Sequence, residues 1–224
     1  HNPKEYNGFK MCAMGRDTIF GQEIQDFRVF LDTEDFEVAE EKGIVKDVDI
    51  KDTYLNYITE RVKLGDKKLR VAVDCGNGVA GIFARDFLEK MGIEEYFIEC
   101  EEPDGNFPGH HPDPSQEKNM LEFEKFIVEN KCDIGIAFDG DADRCLCVDE
   151  LGNEIDGDQV MAICAYDMKS RGKLAKNTVI GTIMTNLGFI KFCEANDMNF
   201  IATKVGDRFV LEEMLLEEYN FGGE

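Results

Sequence analysis

The stretch LRVAVDCGNGVAGIFARDFLEKMGIEEYFIEC, residues 69–100, changes its hydrophobic period along its length and so decides the fold class. LRVAVD is almost continuously apolar, the pattern of a strand buried on both faces. VAGIFARDFLEKMG carries its apolar residues at helical spacing, and EYFIEC returns to an extended pattern. Strand, helix and strand at this spacing predict a parallel crossover unit, with the glycines of CGNG turning the chain between the first two elements.

The alternation continues outward from this unit. EEPDGNFPGHHPDPS reads as a loop, SQEKNMLEFEKFIVENK as a helix, DIGIAF as a strand, CLCV as a strand, and DELGN as a turn. GDQVMAICAYDMKS, NLGFIKFCEAND and DRFVLEEMLLEEY read as helices, interleaved with strands NTVIGT and NFIATK. Toward the amino end, a strand is expected near Phe9 to Met14 and a helix near Gly21 to Leu31. The charged, irregular DTEDFEVAEEKGIVKDVDI then separates these from a helix near Thr53 to Leu64. The expected class is α/β, with mixed, largely parallel sheets covered by helices in repeated domains. In such sheets the loops at the carboxyl ends of strands build the sites.

Composition narrows the function classes. The 224 residues are 43% hydrophobic and 32% charged, which suits a folded core, and no apolar run reaches the length of a membrane span. A formal charge of −22 argues against a nucleic-acid partner, because phosphate backbones attract basic faces. The eight cysteines contain no Cys-x-x-Cys pair, and several sit in apolar runs such as CLCV and MAICAY. They read as small core residues of a protein in a reducing cytoplasm. No signal peptide is visible. The chain opens on HNPKEYNG and closes on FGGE, so it is expected to belong to a longer protein.

DGDADRCLCVDE, residues 139–150, sets Asp139, Asp141 and Asp143 at alternate positions just beyond the buried strand DIGIAF. Three carboxylates within about 4 Å would repel by roughly 4 kcal/mol per pair at an effective dielectric near 20, so they are solvated apart or neutralised by a cation. An all-oxygen set suits Mg²⁺ or Ca²⁺ better than zinc. An acidic surface turn would carry the same letters. A helix-loop-helix calcium site also fits the spacing through Glu150, but its sixth position, a sharp turn on glycine, is Arg144 here. A left-handed backbone there would cost about 1–2 kcal/mol, and the flanks read as strands. A magnesium site with a fixed cation beside it is the pairing that phosphoryl chemistry uses.

GNGVAG at 76–81 is a G-x-G-x-x-G between a strand and a helix, with Glu99 closing the next strand, as in a dinucleotide fingerprint. A tight turn with close helix–strand approach explains the same glycines without a ligand. HNPKEYNGFK gathers His1, Asn2, Asn7, Gly8 and Lys10, a polar set in which a lysine of lowered pKa could serve as acid or base. A surface loop is the plain alternative. His110 and His111 stand in a rigid Pro-rich loop, and TKVGDRFV offers Lys204, Asp207 and Arg208, where Asp207 would otherwise cap the next helix.

Together these loops resemble the α-D-phosphohexomutases nearly end to end. HNPKEYNGFK resembles the segment that starts at the histidine of the family's Ser-His-Asn-Pro phosphoserine loop. VDCGNG, PDGNFP and DGDADR are similar, in family order, to its DCGNG turn, PDGNFP loop and magnesium loop. IGTIMTNLGF and TKVGDRFVLEEM look most like the branch acting on glucosamine phosphate, whereas DCGNGVAG and PDGNFPGHHPDP look more like the phosphomannomutase/phosphoglucomutase branch.

The resemblance implies a reversible phosphoryl transfer between the 6- and 1-positions of a phosphosugar, through a phosphoserine and a hexose bisphosphate that serves as intermediate and activator. It implies that Asp139, Asp141 and Asp143 bind one Mg²⁺ and that Arg144 steadies the transferring phosphate. Lys10 would be the general acid/base with His1 in support; Glu224 would meet sugar hydroxyls, and Asn7, Lys204, Asp207 and Arg208 would complete the substrate site. It makes the DCGNG turn structural. It also implies that residues 1–51 are the end of domain I, 52–155 domain II and 156–224 an incomplete domain III. The serine expected before His1 does not stand in this chain, so turnover by these residues alone is not expected. A non-catalytic metal-binding module and a nicotinamide-dependent dehydrogenase are the readings from other classes.

Overall fold

The computed structural model describes residues 4–9, 11–12, 18–33 and 40–224. The chain divides into two compact units, one over Lys51–Glu224 and the other over Lys4–Ile50. Within the smaller, α1 (Gln22–Thr33) has no buried residue, and Cys12 bridges Thr18 in an isolated antiparallel contact. Lys10, Ala13 and Met14 of the strand expected there lie outside the described residues.

The larger unit begins with α2 (Lys51–Thr59). The helix stops short of Leu64 because Arg61 turns its guanidinium back on the Tyr57 carbonyl at 2.6 Å, satisfying an acceptor that a further turn would have used. A five-stranded sheet follows, built from β1 (Arg70–Asp74), β2 (Glu95–Glu99), β3 (Ile134–Phe138), β4 (Cys145–Asp149) and β5 (Glu154–Ile155), in the order β2-β1-β3-β4-β5. β1 pairs in parallel with both β2 and β3, whereas β4 runs antiparallel to β3, with Phe138 opposite Cys145. β5 was missed by reading DELGN as a turn alone. The Asp149 carboxylate accepts the N–H groups of Leu151 and Asn153, closing the turn so that a two-residue strand returns along β4.

Strand alternation sends Val71, Val73 and Cys75 to one face, where they pack on Leu88 of α3 (Ala84–Lys90). The other face carries Ala72, Ala137 and Val148 against Met120, Phe123 and Ile127 of α4 (Glu117–Asn130). The helix expected from Val79 onward is divided into a 3₁₀ turn at Val79–Ile82 and α3 proper. Gly81 presses so closely on Glu101 that its turn stays tight before the helix opens.

A second, parallel sheet pairs β6 (Thr178–Thr182) with β7 (Asn199–Thr203), Ile180 opposite Ile201. It is covered by α5 (Gly157–Ser170), α6 (Leu187–Ala195) and α7 (Asp207–Leu216). Met161, Ala165, Val179, Phe189 and Cys193 form its core. Beyond α7 the chain returns to β6, and Ile180 bridges Gly222. Mixed, largely parallel sheets under helices are therefore what the chain forms.

α5 starts on a capping box. Asp156 accepts the Gln159 N–H at 2.8 Å, and Gln159 accepts the Asp156 N–H at 3.0 Å. Asp156→Ala is expected to cost about 1 kcal/mol in urea unfolding, and an unchanged midpoint would count against this cap.

The expectation that cysteines are core residues holds for Cys75, Cys132 and Cys193, which are buried. It fails for Cys12, Cys145 and Cys164, which are exposed; Cys145 is the first residue of β4, which has only the two-residue β5 on its outer side. Among the described residues no helix is long and apolar enough to cross a membrane.

Candidate functional site

Asp139, Asp141 and Asp143 sit on the connection between β3 and β4, at the carboxyl end of β3. One carboxylate oxygen from each lies within 4.8 Å of the others. Asp139 is fully buried, while Asp141 and Asp143 are exposed to one side. The flanks are strands, and the left-handed residue of the loop is Ala142, φ 59°, rather than Arg144. The loop therefore turns two steps earlier than the sixth position that a calcium loop would use.

Arg144 closes the loop. Its backbone N–H donates to Asp139 Oδ1 at 3.2 Å and its Nε–H to Asp139 Oδ2 at 2.7 Å, with Asp143 at 3.7 Å. The rest of the side chain, 57% exposed, stays available to a ligand. Burial disfavours the charged guanidinium, but Asp139, Asp113 and Asp143 more than offset this and hold it above its ordinary pKa. Asp113 is a site residue that the sequence reading missed. It lies in the Pro-rich loop without periodicity, where Ser115 and Gln116 donate to its carboxylate, and these bonds hold its pKa below the usual range.

The turn Asp74–Gly78 lies beneath the acidic loop. A Cβ on Gly78 would stand 2.5 Å from the Gly140 carbonyl oxygen, and the Val79 N–H donates to that oxygen at 3.1 Å. Gly81 meets the Glu101 carbonyl in the same way, at 1.7 Å. Contacts between chain segments thus account for these glycines of the G-x-G-x-x-G without a pyrophosphate. Asp74 Oδ1 accepts the Gly76 N–H at 2.9 Å, while Asn77 donates to the Glu102 carbonyl and accepts the Gly109 N–H.

His110 Nε2 lies 2.8 Å from Asp74 Oδ2 and its Nδ1 3.0 Å from the His111 carbonyl. The bond to Asp74 is the main reason that the His110 pKa is raised to about 9, against a partial loss from burial. A raised folded-state pKa adds stability that is fully present below about pH 6.5 and disappears as pH rises through about 9. Allowing for the solvent that reaches the ring, the expected loss is about 1–2 kcal/mol. Denaturation from pH 6 to 10 would show it, and His110→Gln should flatten the profile; an equally steep profile in that variant would refute the assignment.

Arg144 and Asp143 line a groove of about 460 Å³ with Asp113, Met184, Thr185 and Glu224. Glu224 Oε1 accepts the Gly206 N–H at 3.0 Å, tying it to the loop before α7. Lys204 belongs to that loop and Asp207 and Arg208 to the first turn of α7, and none of the three lines the groove. Lys204 and Arg208 hold their charges over the Phe209 ring, at 5.5 and 4.3 Å. Asp207 is the first residue of α7, with Gly206 at the cap, and accepts the Arg208 N–H. Asn7 is exposed in the smaller unit, and His1 and Lys10 lie outside the described residues. The structure therefore brings together Asp139, Asp141, Asp143 and Arg144, with Glu224 on the groove that Arg144 lines.

Residues 52–152 match the family model described as phosphoglucomutase/phosphomannomutase, alpha/beta/alpha domain II, and residues 156–224 match that of domain III. The chain is 38% identical over 231 aligned residues to a phosphoglucosamine mutase of Clostridium botulinum and 42% identical over 232 to that of Clostridium tetani. All of this chain is covered in both, against 50% of each relative, so it spans about half the length of the curated relatives it matches. The crystal structure of a phosphoglucomutase/phosphomannomutase family protein from Burkholderia thailandensis superposes with a TM-score of 0.88 at 30% identity, over 100% of this chain and 47% of that one.

Proposed function

This chain belongs to the phosphoglucomutase/phosphomannomutase family, within the α-D-phosphohexomutases, and from that premise we propose that its protein is a phosphosugar mutase. The reaction is the interconversion of a hexose 6-phosphate and a hexose 1-phosphate through a phosphoserine and a bisphosphorylated sugar, with glucosamine phosphate as the preferred substrate. The preference rests on the likeness to phosphoglucosamine mutases along the whole chain.

The observation that carries the reading is the carboxylate cluster with Arg144 clamped beside it at the edge of a groove. Three oxygen donors within 4.8 Å of one another, with neither nitrogen nor sulfur in the set, fit Mg²⁺ held by Asp139, Asp141 and Asp143. Bound there, the ion would offset negative charge on a transferring phosphoryl group. Arg144 keeps its Nε on Asp139, so its terminal amino groups point the same positive charge at a phosphate without the side chain having to be ordered on binding. Glu224, steadied by Gly206, accepts from sugar hydroxyls; Lys204, Asp207, Arg208 and Asn7 are assigned to the substrate by the family resemblance alone, since none of them lines this groove. Lys10 moves the proton on the reacting hydroxyl, with His1 in support. We divide the chain at 51/52 and 155/156 into the end of domain I, domain II and part of domain III, supported by the matched ranges.

The test is ³¹P NMR of the full-length gene product with glucosamine 6-phosphate, Mg²⁺ and a catalytic amount of hexose bisphosphate. Growth of a 1-phosphate resonance is expected, and its absence would refute the mutase. The DCGNGVAG and PDGNFPGHHPDP motifs favour a second reading, a phosphomannomutase/phosphoglucomutase. A kcat/KM higher for mannose or glucose phosphate than for glucosamine phosphate would select it.

A further inference from the structure

Asp74, Cys100 and His110 bring a carboxylate oxygen, a thiol sulfur and an imidazole nitrogen within 4.8 Å of one another, away from the acids of the β3–β4 loop in sequence and in donor chemistry. The Asp74–His110 ion pair explains two of the three. It does not explain Cys100, which follows β2 with a left-handed backbone, φ 46°, a conformation that a cysteine rarely adopts. Nor does it explain the close passage of residue 109, where a Cβ would stand 2.5 Å from the Cys100 sulfur, so that only glycine leaves room for the thiol. Asp74 is 3% exposed, and the three donors come from the end of β1, the end of β2 and the Pro-rich loop.

We propose that Asp74, Cys100 and His110 form a binding site for a zinc-class transition-metal ion, separate from the carboxylate cluster. The mixed sulfur, nitrogen and oxygen set is what zinc accepts and what Mg²⁺ avoids. The ion would take the place of the proton between His110 Nε2 and Asp74 Oδ2, now 2.8 Å apart, which must open to the edge of about 3.3 Å that a tetrahedron with bonds of about 2.0 Å requires. His110 gives up its Nε2 proton and Cys100 its thiol proton, both to solvent. The aspartate and thiolate charges then balance the dication. Asp74 and Glu99 face His110, and Asp74 and Glu99 also face Cys100, so the surroundings favour a cation. Filled, the site would pin the turn that carries Gly78, and with it the Gly140 carbonyl of the acidic loop.

Co²⁺ replaces zinc as an optical probe, titrated into the purified chain with Mg²⁺ in excess to saturate the carboxylate loop. A thiolate-to-cobalt charge-transfer band is expected, saturating at one Co²⁺ per chain. Release of two protons should tighten the apparent affinity about 100-fold per pH unit between pH 6 and 7. The band should vanish in Cys100→Ser and His110→Gln and persist in Cys145→Ser. No band, or a band that survives Cys100→Ser, would overturn the site. If a variant does not fold, alkylation of the unsubstituted chain followed by peptide mapping decides: zinc must protect Cys100, and equal labelling with and without zinc overturns the proposal.

Discussion

Asp139→Asn is expected to lower the proposed mutase turnover of the full-length protein about 1,000-fold, equivalent to about 4 kcal/mol of transition-state stabilisation. Asp139 does two things with one buried carboxylate. It is a member of the carboxylate cluster, and it accepts both Arg144 donors, at 3.2 and 2.7 Å. The amide keeps the volume and one acceptor oxygen, but it cannot hold the guanidinium and a cation by charge. The stability of the metal-free variant should change by only about 1 kcal/mol, because losing the Arg144 partner is offset by relief of repulsion with Asp141 and Asp143. The telling readout is linkage. Mg²⁺ should raise the unfolding midpoint of the unsubstituted protein and leave that of Asp139→Asn unmoved. An equal midpoint shift in both would remove Asp139 from the proposed metal site.

Gly81→Ala is expected to destabilise the chain by about 3 kcal/mol or more, or to prevent its folding. The new Cβ would lie 1.7 Å from the Glu101 carbonyl oxygen and 2.8 Å from its carbonyl carbon. A backbone oxygen cannot swing away as a flexible side chain can. Glu101 is further tied to α3 by the Arg85 Nε–H, which donates to its carboxylate at 2.9 Å. Relief would have to come from moving the 3₁₀ turn off the sheet, and the same turn carries Val79 toward Gly140. Gly65→Ala, with nothing within 4 Å, is the control and should stay within about 0.5 kcal/mol. Equal urea midpoints for the two variants would contradict the packing argument.

Much of the architecture is legible in residues 69–100, because LRVAVD and the spacing in IFARDFLEKM leave a strand and a helix few other ways to bury their apolar atoms. The direction of β4 was also within reach. Only six residues separate Phe138 from Cys145, too few for a parallel crossover, so an antiparallel return is required. The acidic loop declared itself through spacing, and Arg144 through the place where a calcium loop needs glycine. What stayed hidden depends on contacts distant in sequence. Asp74 and His110 are 36 positions apart with no shared period. Asp113 looks like any turn-forming residue between prolines until the fold sets it on the groove beside Arg144. The clamp of Arg144 on Asp139 is equally invisible, since only a closed hairpin returns a side chain to a residue five positions earlier.

That hairpin amounts to a chelate ring whose size is fixed by its handle. Its jaws are the five register pairs from Ile134↔Asp149 to Phe138↔Cys145, so the cost of gathering three like charges falls on strand hydrogen bonds already made. Ring size and strand phase are then one variable. A single-residue insertion that shifted β4 by one step would roll Leu146 and Val148 from the α4 side to the other face and bring Cys145 and Cys147 in. Redesign of its ion preference therefore has to work by changing side chains within a span of constant length.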